Sequence, residues 1–131
     1  MPIIRVPFIT REFVRANPDK LFLFGDNELR TGMGGQARHM RGEPNAHGIR
    51  TKFAPHSRPD AFWSDKDFDA NCDMISLDLV VPELWLVANK DVIIPQHDLG
   101  TGRARLNELA PETFKYLQNR IAGLARYNYS K

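Results

Sequence analysis

The sequence contains a single cysteine, Cys72, among its 131 residues, which excludes an internal disulfide and is typical of a protein from a reducing compartment. It has no apolar run near the roughly 20 residues that a transmembrane helix needs, and its first residues show no signal-peptide pattern. It also lacks internal repeats and low-complexity segments. These absences predict one cytoplasmic domain over residues 1–131, with no membrane partner.

The charge is small in total but unevenly distributed. A net charge of +2 does not by itself indicate nucleic-acid binding. Residues 30–58 hold six basic side chains and one acid, whereas residues 59–91 hold eight acids and two lysines. The basic segment overlaps a glycine-rich loop, as an anion-binding site would require. Each of these arginines could equally be an ordinary solvated surface residue.

The glycine-rich loop follows the most apolar short stretch of the chain. Residues 21–24 (LFLF) are uniformly apolar, which predicts a strand buried on both faces of a parallel sheet. Gly32, Gly34 and Gly35 follow, and residues 36–41 predict the first turns of a helix. Glycines allow the backbone to approach a phosphate, and free N–H groups at a helix start point towards it. Without a ligand, the same pattern is a tight strand-to-helix connection.

A second buried strand, Val92–Ile94, also runs into a glycine-containing loop, residues 96–105. Strands alternating with helices predict an α/β domain whose central, mostly parallel sheet is flanked by helices on both faces. Ligands of open α/β sheets bind at the carboxyl ends of the strands, so we expect both loops at one sheet edge, around a diphosphate.

The other predicted elements are a strand at 3–8, a helix at 11–16 capped by Thr10, a strand at 47–53, an acidic amphipathic helix from 68 capped by Ser64 and broken or kinked at Pro82, and a last helix from Pro111.

Two blocks of the sequence resemble the macrodomain family, which binds ADP-ribose and related nucleotides. Residues 24–37 (FGDNELRTGMGGQA) are similar to that family's strand, asparagine and glycine loop, which implies that Asn27 lies near a ribose. Residues 93–106 (IIPQHDLGTGRARL) are similar to its second phosphate loop. The chain also resembles small phage and bacterial proteins without an assigned mechanism. The resemblance implies a macrodomain-like fold that binds ADP-ribose, another NAD-derived nucleotide or an ADP-ribosylated macromolecule, without a cofactor.

The same resemblance implies a set of site residues. The ligand-binding residues are Gly32, Gly34, Gly35, Gln36, Gly100, Thr101, Gly102, Arg103 and Arg105. The acids that some macrodomain hydrolases carry are replaced by Gln36-Ala37 and by Ala104, so we expect a binder or a weak hydrolase. Any turnover would depend on Asp26, Asn27 and Asp98, although Asp26 and Asp98 could instead be turn residues that satisfy backbone amides.

Other functions remain open from the sequence. The four histidines and Cys72 do not have metal-ligand spacing, so we expect no metal and a core position for Cys72. Phe53, Phe62 and Trp63 lie near the basic segment and could stack on an adenine or on single-stranded nucleic acid. A pI near 8.9 and a short run of basic residues make nucleic-acid binding a less favoured reading than nucleotide binding. The acidic helix could alternatively dock a protein partner.

Overall fold

The computed structural model describes residues 3–97 and 99–126, and in them four strands form one parallel sheet. The strands are β1 (Ile3–Val6), β2 (Leu21–Asn27), β3 (Ala46–Lys52) and β4 (Val92–Pro95), in the order β1-β4-β2-β3. The α/β fold class is therefore confirmed. The two most apolar strands, β2 and β4, are neighbours, with Leu21 opposite Val92 and Phe22 opposite Ile93.

Six α-helices connect and flank these strands within the described residues. They are α1 (Arg11–Ala16), α2 (Ala37–Met40), α3 (Phe68–Asp78), α4 (Val80–Val87), α5 (Leu106–Leu109) and α6 (Pro111–Gly123). The Thr10 hydroxyl accepts a hydrogen bond from Phe13 N at 3.1 Å, which confirms the predicted cap of α1. The chain starts a new helix at Val80, two residues before Pro82, because proline is tolerated only in a first turn. None of the helices in these residues is long and apolar enough to cross a membrane.

The predicted cap at Ser64 is wrong, because the Ser64 side chain makes no capping hydrogen bond. The neighbouring Asp65 caps a different helix, α6, by accepting hydrogen bonds from Glu112 N and Thr113 N, each at 2.9 Å. Burial alone would raise the pKa of Asp65, but the bonds from Glu112 and Thr113 outweigh it and lower that pKa. The carboxylate therefore ties the start of α3 to the start of α6.

Helices cover both faces of the sheet, and β2 is buried on both sides as its composition predicts. Alternate side chains of a strand point to opposite faces, so Leu21 and Leu23 pack on one core and Phe22 and Phe24 on the other. The first core is completed by α3, α4, α5 and α6, and the second by α1 and α2. β2 continues three residues beyond its apolar run and so carries Asp26 and Asn27 to its carboxyl end.

Candidate anion-binding cleft

A cleft of about 120 Å³ opens at the carboxyl ends of β2 and β3, between the two glycine-containing loops. The loops meet there: a Cβ atom added to Gly34 would lie 2.8 Å from Arg103 Nε. This contact confirms the prediction that both loops lie at the same edge of the sheet. The lining includes Gly32, Gly34, Gly35 and Gln36 of the first loop, Arg103 and Ala104 of the second, Thr51 and Lys52 of β3, and Arg41 after α2.

Two cations in the cleft have no acidic partner among residues 3–97 and 99–126. Lys52 is only 7% exposed, and its Nζ donates to the His56 carbonyl at 2.9 Å. None of the ion pairs formed within residues 3–97 and 99–126 includes Lys52 or Arg103. Burial, and then the positive charge of Arg103, lowers the pKa of Lys52. A buried cation is costly unless it is paired, so the buried Lys52, with the exposed Arg103 beside it, favours an anionic ligand.

The third cation of the cleft, Arg41, is held by Asp26. Asp26 Oδ1 accepts from Arg41 Nη2 at 2.6 Å, and Oδ2 accepts from Arg41 Nη1 at 3.3 Å and from Arg30 Nη1 at 3.2 Å. Arg41 also donates through Nε to the Gly32 carbonyl at 2.8 Å. Two arginines therefore pair with the buried Asp26 carboxylate. Asp26 holds Arg41 in place, and through Arg41 it also holds the glycine loop.

Asn27 and Gln36 use their side-chain amides to shape the first loop. Asn27 Nδ2 donates to the Thr31 carbonyl at 2.8 Å, and its Oδ1 accepts from Leu29 N at 3.0 Å. Gln36 is 3% exposed and bonds the backbone N and O of Ile9, each at 2.8 Å. The loop is thus closed on itself and fastened to the segment before α1. Because α2 is a single turn, cations rather than a helix terminus provide the positive charge at this edge.

The second loop contributes less of the cleft than its sequence predicts. Arg103 and Ala104 line the cleft, whereas Gly100, Thr101, Gly102 and Arg105 lie outside its lining. Gly100 has φ +92 and accepts hydrogen bonds from Leu106 N and Asn107 N. A Cβ atom at Gly100 would lie 2.9 Å from the Phe114 ring, so this glycine permits close packing against α6. Asp98, a predicted catalytic residue, lies outside the described residues.

For several residues of this region, the sequence does not indicate the burial or the pairing that the structure shows. The sequence gives Lys52 no special position and places Asp78 in an acidic amphipathic helix, but both side chains are buried. Asp78 accepts from Arg30 Nη2 at 2.8 Å and from Arg50 Nη2 at 2.9 Å. Trp63 is 1% exposed, so the expectation that its ring is free to stack on a ligand from solvent is wrong. One signal in the sequence could have indicated Lys52 as a site residue: it is a lysine at the end of a strand, beside the glycine loops.

The comparisons with known proteins give the family but no function. The structure is an open parallel α/β domain with a basic cleft where such folds usually hold a ligand. The chain belongs to a family of unknown function (DUF7831), whose model matches residues 4–120. No curated protein and no solved structure matches the chain. The relationship to macrodomains therefore stays a prediction.

Proposed function

We propose that the cleft binds a phosphate group of a nucleotide, and that ADP-ribose or a related NAD-derived nucleotide is the ligand. One observation carries the proposal: Lys52 and Arg103 lie together in the cleft, and no carboxylate of the described residues pairs with either. A phosphate would supply the missing negative charge. The choice of an ADP-ribose-type nucleotide comes from the resemblance to macrodomains.

The glycine loop supports a phosphate at this position. Gly34 lies so close to the Arg103 guanidinium that a side chain there would displace it. Arg41 donates to both Asp26 oxygens and to the Thr31 and Gly32 carbonyls, so it fixes the loop, and the Arg103 guanidinium supplies the planar set of donors for the ligand. Arginine binds phosphate oxygens through two parallel hydrogen bonds, which fixes geometry as well as charge. A cleft of about 120 Å³ suits a phosphate group, with the rest of the nucleotide outside it.

The arrangement favours binding over hydrolysis. A general base must have a lone pair free for the proton it takes. The Asp26 oxygens already accept from Arg30, Arg41 and the Asn27 backbone N–H. We therefore propose a binder of free nucleotide or of the same group on a macromolecule. A cytoplasmic location stays a prediction.

Calorimetry with ADP-ribose, AMP, NAD and pyrophosphate tests the proposal. Arg103→Gln removes an exposed cation that pairs with no carboxylate of the described residues, and we expect at least a ten-fold loss of affinity, because a charge-assisted hydrogen bond contributes about 1.5–3 kcal/mol. Arg58→Gln is the matched control, since Arg58 is exposed and does not line the cleft. No binding of any of these ligands by the wild type, or equal affinity in both variants, would contradict the proposal. A single-stranded oligonucleotide in place of the nucleotides tests the nucleic-acid alternative.

A further inference from the structure

A second, more apolar groove lies beside the cleft. Its volume is about 330 Å³, larger than that of the cleft. Its lining is formed mainly by Pro59, Phe62, Trp63 and Leu109, with Arg105. Neither the proposed phosphate site nor the resemblance to macrodomains assigns a ligand to these residues.

The Phe62 ring connects the groove to the cleft. Lys52 of the cleft places Nζ 4.6 Å from the centroid of this ring, and Arg105 of the groove places Cζ 5.7 Å from it. Arg103 lines the cleft, whereas Arg105, two residues later, lines the groove. The Phe62 ring is therefore shared by Lys52 of the cleft and Arg105 of the groove, and a ligand extending from Lys52 past this ring would enter the groove.

The groove has the chemistry of a site for a planar ring. Trp63 lines it while remaining 1% exposed, and its Nε1 donates to Glu28 Oε2 at 2.9 Å. The indole is therefore a packed wall of the groove, and the half-buried Phe62 ring provides the aromatic surface that a base can reach. The Arg105 side chain is 49% exposed, lies over the Phe62 ring and makes long contacts of 3.4 Å with the exposed Glu108. Its guanidinium is thus available to stack on a heteroaromatic base.

We propose that this groove binds the heteroaromatic base of the nucleotide whose phosphate occupies the cleft. The inference rests on the proposed function, and it adds a basis for selectivity. Ligands with a base occupy both sites, whereas a sugar phosphate or pyrophosphate occupies the cleft alone. Base stacking is worth roughly ten-fold or more in affinity for each base bound on aromatic side chains.

Calorimetry with AMP and with ribose 5-phosphate separates the two sites, because these ligands share the sugar and phosphate and differ in the base. We expect the wild type to bind AMP roughly ten-fold more tightly. The double variant Arg105→Lys, Leu109→Gln keeps the charge but removes the planar guanidinium and an apolar wall. It should reduce the AMP preference to less than about three-fold and leave ribose 5-phosphate affinity unchanged.

The outcomes distinguish failure of this inference from failure of the proposed function. Binding of neither ligand by the wild type overturns both. Equal binding of the two ligands, or a preference for AMP that survives in the double variant, overturns only the base groove. As a second measurement, AMP but not ribose 5-phosphate should quench Trp63 fluorescence in a Trp85→Phe background, in which Trp63 is the remaining tryptophan. Equal fluorescence with the two ligands would contradict a base beside Trp63.

Discussion

Replacement of Asp78 by asparagine tests the ion-pair network behind the cleft. Asp78 lies on α3, and its side chain is 3% exposed. Its carboxylate accepts three hydrogen bonds from Arg50, from N at 2.8 Å, Nε at 3.0 Å and Nη2 at 2.9 Å, and one from Arg30 Nη2 at 2.8 Å. Asp78→Asn keeps the shape of the side chain but removes the charge and one accepting oxygen. Arg50 would then lose its buried counter-charge, and Arg30 would keep only that of Asp26.

The size of the effect follows from burial. Removing one partner of a fully buried ion pair costs about 3–5 kcal/mol, because the other charge is left uncompensated. Here the side chains of Arg30 and Arg50 keep 38% and 18% of their exposure, so water compensates part of the loss. We expect a decrease in the free energy of unfolding of about 2 kcal/mol. For a chain of this length that corresponds to a Tm lower by about 7 °C.

Urea denaturation followed by circular dichroism measures this change, and a thermal scan provides the Tm. Asp73→Asn is the matched control, because Asp73 is an exposed acid on the same helix. We expect the control to change the free energy of unfolding by less than about 0.5 kcal/mol. If Asp78→Asn destabilises the protein no more than Asp73→Asn does, the argument that this carboxylate holds α3 to the sheet edge is refuted.

Two further predictions concern the cleft and the sheet beneath it. The pKa of Lys52 is below the ordinary value of 10.5, so its ammonium loses its proton earlier as pH rises. Pyrophosphate affinity measured by calorimetry should therefore fall as pH rises through that lowered pKa. Lys52→Arg should remove this fall, and an unchanged pH profile in that variant would contradict the assignment. Gly48→Ala places a Cβ atom 2.5 Å from Asp26 Oδ2 and should lower the free energy of unfolding by about 2 kcal/mol in urea. The control Gly123→Ala approaches only the flexible end of Arg126 and should be neutral or slightly stabilising, so equal stability of the two variants would rule out the steric argument.

Local sequence patterns predicted most of the fold. The apolar run 21–24 specified a strand buried on both faces, and the cap at Thr10 and the break near Pro82 specified helix limits that the structure confirms. These features depend on interactions within one or two turns or on side-chain alternation along a strand, so neighbouring residues are sufficient to determine them. The meeting of the two loops was also predictable, because the carboxyl ends of parallel strands share one edge.

The charges of the site were decided only by the tertiary structure. Asp26 and Asp78 look alike in the sequence as acids near strands and helices, yet each pairs with two arginines, and only the Asp26–Arg30 pair joins residues that are close in the sequence. Lys52 and Arg103 are 51 positions apart and share a cleft in which, among the described residues, neither has an acidic partner. Whether a charge is buried, paired or available to a ligand depends on distances across the fold. Those distances are set by how the helices pack on the sheet, and no local pattern contains them.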